Sequence, residues 1–182
     1  MNIKPLKFIV LILTVFAGLS SCKKDKDNDN DGSGGDFYFT VKVDGNSFSG
    51  DMSKAEGFGL FKYHEGTLSF SIAKDVANPA TGTFLMNILS GYNGAGSYKV
   101  GVGGGTNYAR YTTGSMVGGG TVSFWTAETG SGSTANNIGT GTIVVSSDKN
   151  GVVEGTFSFD GYNNADHTTK HFTEGKFRLK VQ

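Results

Sequence analysis

Cysteine and proline are nearly missing from this sequence: 182 residues hold one Cys, at position 22, and two Pro, at 5 and 79. A single thiol excludes an intrachain disulfide, so hydrophobic burial and backbone hydrogen bonds must hold the fold. Charge of one sign is missing too. Basic and acidic side chains number 16 each, and five of each sign lie before residue 37, so the remainder is also balanced. No basic cluster occurs, which argues against nucleic acid, whose phosphates are held by concentrated Lys and Arg. Helical periodicity is missing as well, since no segment convincingly repeats apolar residues at i, i+3, i+4 and i+7.

Long hydrophobic runs are limited to "FIVLILTVFAGL", residues 8–19, introduced by Lys4 and Lys7. A spanning helix needs about 20 apolar residues, whereas the apolar core of a secretory signal holds roughly 7 to 15. Residues 1–21 therefore read as a signal peptide that is cleaved. The segment after it, "CKKDKDNDNDGSGGD", is polar and ends in glycines. "DNDNDG" places carboxylates at positions one, three and five and Gly at six, like the opening of a calcium loop. Position twelve is Tyr38 where a bidentate Glu is required, so a tether is the better reading. Residues 22–36 have no apolar surface to offset the entropy of ordering.

The stretch Leu19, Ser20, Ser21, Cys22 resembles the lipobox of bacterial lipoproteins, and the Lys- and Asp-rich run behind it is similar to the export signal of Bacteroidota-type lipoproteins. That resemblance implies a Cys22 carrying a diacylglycerol thioether and palmitate-type acyl chains. It places the protein at the outer membrane, displayed at the cell surface. Two or three chains would hold it there durably, at about 0.8 kcal/mol per buried methylene. No cofactor is expected beyond this covalent lipid.

Residues 37–182 form one domain by length, and alternation sets its class. "FYFTVKV" turns Phe37, Phe39, Val41 and Val43 to one face, and "TLSFSIA" does the same with Leu68, Phe70 and Ile72. Period two marks half-buried strands. The same code runs through "SYKVGV", "TVSFWTA", "EGTFSFD" and "GKFRLKV", while "DGN" at 44–46 and "DKNG" at 148–151 have hairpin-turn chemistry. The expectation is an all-β, mostly antiparallel β-sandwich or barrel-like domain of about nine or ten strands. The last third, "GTGTIVVSS", "GVVEGTFSFDG" and "FTEGKFRLKV", resembles the C-terminal signature of small Bacteroidota-type lipoproteins with an uncharacterised β domain. It brings no catalytic residue with it.

No GxxxxGK[ST], GxSxG or HExxH motif occurs. His167 and His171 have zinc-compatible H-x3-H spacing but read as loop histidines, so no metal site and no catalytic residues are assigned. Glu56, Glu65, Glu128 and Asp160 leave a two-carboxylate glycoside hydrolase as an alternative. In "TVSFWTA" the core parity reads as that of Val122 and Phe124. Trp125 then faces outward with Tyr108 and Tyr111 as a ligand platform, or lies under a second sheet or loop. The leading expectation is a non-catalytic binding module for an extracellular glycan or a partner envelope protein. A structural envelope protein without a small ligand is the alternative.

Overall fold

The computed structural model describes residues 37–52, 60–61, 66–115, 119–129 and 138–181. The signal peptide, Cys22 and the tether lie outside them. All the described residues belong to one unit, Asp31–Gln182. Eleven strands follow in chain order: β1 (Tyr38–Val43), β2 (Asn46–Ser49), β3 (Leu60–Phe61), β4 (Leu68–Ala73), β5 (Thr83–Ile88), β6 (Gly96–Gly101), β7 (Tyr108–Gly114), β8 (Val122–Ala127), β9 (Thr140–Lys149), β10 (Val152–Tyr162) and β11 (Thr169–Lys180). They make one antiparallel sheet, ordered β2-β1-β11-β10-β8-β7-β5-β4-β3, curled into a half-barrel. The sheet forks at β10, whose edge is shared between a long ladder to β9 and one pairing to β8, Tyr162 with Thr126. β6 pairs with the far side of β9.

The turns follow from local chemistry. Val43 pairs with Asn46 and Lys149 with Val152, so each hairpin closes with two residues. Asp44 and Gly45 have φ of 49° and 82°, and Asn150 and Gly151 have φ of 55° and 74°. Positive φ at both central residues is the type I′ geometry whose twist matches the strands it joins.

Strand β7 was not expected. "YARYTTG" lies between glycine-rich stretches that hide it, and Tyr108 and Tyr111 read as loop residues. In the structure β7 is a fully paired strand, held by β5 on one side and β8 on the other. Ala109 and Tyr111 point inward and are buried.

The arm running from β8 to β3 meets β1, β10 and β11 across an aromatic core. Phe84 on β5 meets Phe39 of β1, Phe157 and Phe159 of β10 and Phe172 of β11, and Phe159 stacks on Phe172 with centroids 4.1 Å apart. Fully burying such a ring contributes about 1.5–3 kcal/mol.

Many of the 29 glycines are explained by where these rings lie. Along β9, β10 and β11 the inward positions pair Phe with Gly across neighbouring strands: Phe177 with Gly155, Phe157 with Gly175, Phe159 with Gly141. A Cβ on Gly155 would come within 2.6 Å of the Phe177 ring, and one on Gly175 within 2.6 Å of the Phe157 ring. The missing side chain is the space the neighbour's ring fills, the large–small alternation by which a core reaches full density.

One asparagine joins β6 to the end of β5, between which no ladder runs. Asn107 is 7% exposed. Its Nδ2 donates to the Lys99 carbonyl at 3.2 Å, and its Oδ1 accepts from the amides of Leu89 and Ser90 at 2.9 and 3.3 Å.

Candidate functional site

With Phe and Gly on the inner face of β9–β11, the alternate positions of the same strands face outward, and along β9 and the middle of β10 they are short. β9 contributes Thr140, Thr142 and Val144; β10 contributes Thr156, Ser158, Asp160 and Tyr162. The register sets Thr140 opposite Asp160, Thr142 opposite Ser158 and Val144 opposite Thr156. Longer side chains flank this strip, Lys99 opposite Thr142 on β6 and Lys176 opposite Thr156 on β11. Short residues between long ones make a furrow.

The furrow consists of three connected depressions. The widest, about 620 Å³, is lined by Val102, Ile138, Gly139, Thr140, Asp160, Tyr162 and Thr169. The next, about 380 Å³, shares Val102, Thr140 and Asp160 with it and adds Lys99, Thr142 and Ser158. A third, about 400 Å³, takes up Thr142 and Ser158 and continues to Val144, Thr156, Glu174 and Lys176. Val102 and Val144 are exposed large apolar residues. The hydroxyls of Thr140, Thr142, Thr156 and Ser158 have no partner among the described residues.

A bulge in β11 shapes the narrow end. Phe157 pairs with Gly175 but Phe159 with Phe172, so β11 carries one extra residue there. Glu174 sits at that point with φ of 55°, and its carboxylate meets Lys42 Nζ at 2.9 Å. Bulges re-aim side chains in this way.

At the wide end, His171 Nδ1 lies 2.7 Å from Asp160 Oδ1. That hydrogen bond and the Asp160 charge raise the His171 pKa above its ordinary value. Desolvation works against the Asp44 charge, but the His171 amide and the Lys170 ammonium outweigh it and hold the carboxyl below its usual range. His167 turns elsewhere, with Nδ1 at 2.8 Å from the Tyr162 hydroxyl. The H-x3-H spacing thus gives two histidines with separate partners. Among the described residues no group of three or more His, Cys, Asp or Glu could hold a metal ion. Of the carboxylates offered by the sequence, Asp160 lines the furrow, Glu128 pairs with Arg110 at 3.4 Å, and Glu56 and Glu65 lie outside the described residues.

The aromatic trio is divided by the structure. Trp125 is 8% exposed and Phe124 45% exposed, so the parity of β8 is the reverse of the one read from "TVSFWTA". Trp125 faces Tyr111 in the core with ring centroids 6.0 Å apart. Its Nε1 donates to Thr168 Oγ1 at 3.0 Å, and the Lys170 ammonium lies 4.8 Å over its ring. Tyr108 is half-buried on the opposite face of the same arm. The sequence missed the furrow because its residues are Thr, Ser and Val, which read as ordinary outer positions of strands. The visible signal was their regular recurrence in "TGTIV" and "GTFSFD".

The geometry defines a class: an all-β half-barrel with an open, hydroxyl-lined furrow on one outer face. No family model, curated protein or solved structure matches the chain.

Proposed function

We propose that this chain is a lipid-anchored, non-catalytic binding module of the outer membrane that takes an extracellular glycan in the β9–β11 furrow. The furrow is the observation that carries the reading. It is elongated, shallow and open, with unengaged hydroxyls beside small apolar patches, the surface that a hydroxyl-rich polymer matches along its length. Its carboxylates, Asp160 and Glu174, are each engaged by a cation or imidazole, which favours recognition over chemistry. The lipobox-like "LSSC" supports anchoring through Cys22. Tyr38 pairs with Arg178, whereas Thr169 lines the wide end of the furrow; nine residues of β11 separate them, about 30 Å. A tether entering at residue 37 would hold the domain by the end away from that opening.

The test is a glycan-array screen and an envelope-protein pull-down with the chain from Cys22 onward. A glycan hit is expected that is lost in Thr140→Arg, which places a long cation where two depressions meet. Binding that survives this change removes the furrow from the site. A protein partner captured with no glycan hit replaces the ligand class, and silence in both moves the assignment to a structural envelope protein. Radiolabelled palmitate should mark the wild type and not Cys22→Ala.

A further inference from the structure

We propose a second binding spot, for the carboxylate of an acidic sugar, on the outer face of β5, β7 and β8, built from Arg110, Phe124 and Tyr108, with Asn87 buried beside Tyr108. Ala109 and Tyr111 point into the core, so Tyr108 and Arg110 point out. The Arg110 guanidinium carbon lies 5.6 Å from the Tyr108 ring centroid and 5.5 Å from that of Phe124. The cation is thereby held beside two rings, within the range at which ring quadrupoles attract it. Phe124 is 45% exposed, a large apolar face open to solvent.

The cation is short of acceptors. A guanidinium carries five N–H donors, and here its one acceptor among the described residues is Glu128 Oε2 at 3.4 Å. Charge-assisted bonds run to about 2.7–2.9 Å, so that contact is long and weak. Both buried side-chain donors without a partner among the described residues fall on this face: Arg110 Nε and Asn87 Nδ2. Asn87 is 4% exposed and pairs directly with Tyr108, next but one to Arg110. Unsatisfied buried donors are rare enough that each calls for an explanation. The Arg110 side chain as a whole is 34% exposed, so its outer N–H groups, held only by the long Glu128 contact, are open to a carboxylate, which supplies two acceptor oxygens.

The body that carries the carboxylate must suit a sheet face and not a sheet edge. An extended peptide gains most of its affinity by joining an open ladder, and β7 is already paired on both sides. A pyranose ring can lie flat on Phe124 while its carboxylate reaches Arg110, which makes a uronic acid the fitting class. This spot belongs to the other arm of the fork from the furrow and does not depend on it.

The experiment is a ¹⁵N-NMR titration of the chain from Cys22 onward with trigalacturonate, its neutral trigalactose counterpart and an acidic peptide of equal charge. Trigalacturonate should shift the Arg110 Nε–H and Asn87 Nδ2 resonances, with the neutral sugar and the peptide binding far less. Losing a hydrogen bond to a charged group should weaken affinity roughly tenfold or more in Arg110→Lys, and Phe124→Ala should weaken it as well while the spectrum remains that of a folded chain. Equal binding of the neutral sugar overturns the role of the carboxylate, and equal binding of the peptide overturns the sugar. Shifts confined to Thr140 and Ser158 would place the ligand in the furrow and sink the proposal, as would an absence of shifts anywhere.

Discussion

At the scale of single residues, the Phe–Gly pairing of β9–β11 makes a sharp prediction. Gly155→Ala places a methyl against the Phe177 ring and the β9 backbone, and overpacking of this kind costs roughly 1–3 kcal/mol. Chemical denaturation should show that loss, with part of it recovered when Phe177→Leu opens the space. An unchanged midpoint would mean the ring has room to move. His171 offers a second prediction. Its folded pKa is raised by Asp160, so its stabilising contribution is complete below its ordinary value of 6.5 and is lost as pH rises through the raised value. An NMR titration should find the His171 pKa falling towards the ordinary value in Asp160→Asn; no change would separate the two groups in solution. Residues of this kind were partly legible. Glycine's abundance was visible in the sequence, but its partner rings were not, because the register that sets Gly155 beside Phe177 spans 22 positions of chain. Asn107 was not legible at all, since its three backbone partners come from segments on either side of a turn.

At the scale of elements, the type I′ turn at Asn150–Gly151 closes the long ladder between β9 and β10. Gly151→Val forces a β-branched residue to positive φ and should cost about 1 kcal/mol or more, read as a lowered melting temperature. An unchanged value would count against that turn in solution. This hairpin was legible because turn chemistry and period-two alternation agree. β8 misled for a physical reason: Trp125, Thr126 and Ala127 are buried in succession, so the strand has no clean alternation, and a parity counted from Val122 falls on the wrong face. The candidate platform of Trp125, Tyr108 and Tyr111 inherited that error, and the exposed ring is Phe124. β7 escaped notice because its apolar inward residues are only Ala109 and Tyr111, too few to stand out between glycine-rich flanks.

At the scale of the whole domain, class and antiparallel pairing could be read from alternation and turns, but not the fork at β10. That branching rests on one pairing, Tyr162 with Thr126, between residues 36 apart, and no local pattern announces it. The point where the chain enters has a mechanical consequence. β1 runs from Tyr38, beside Arg178, towards Phe172, flanked on its two sides by β11 and β2. In a domain anchored at its N-terminus and gripping a polymer at the far end of β9–β11, any tug on the polymer draws β1 and β11 in opposite directions along their length. Their rungs then share the load and must give way together, not open singly as in a zip. The domain is strung to resist tension in the direction its proposed task would apply it.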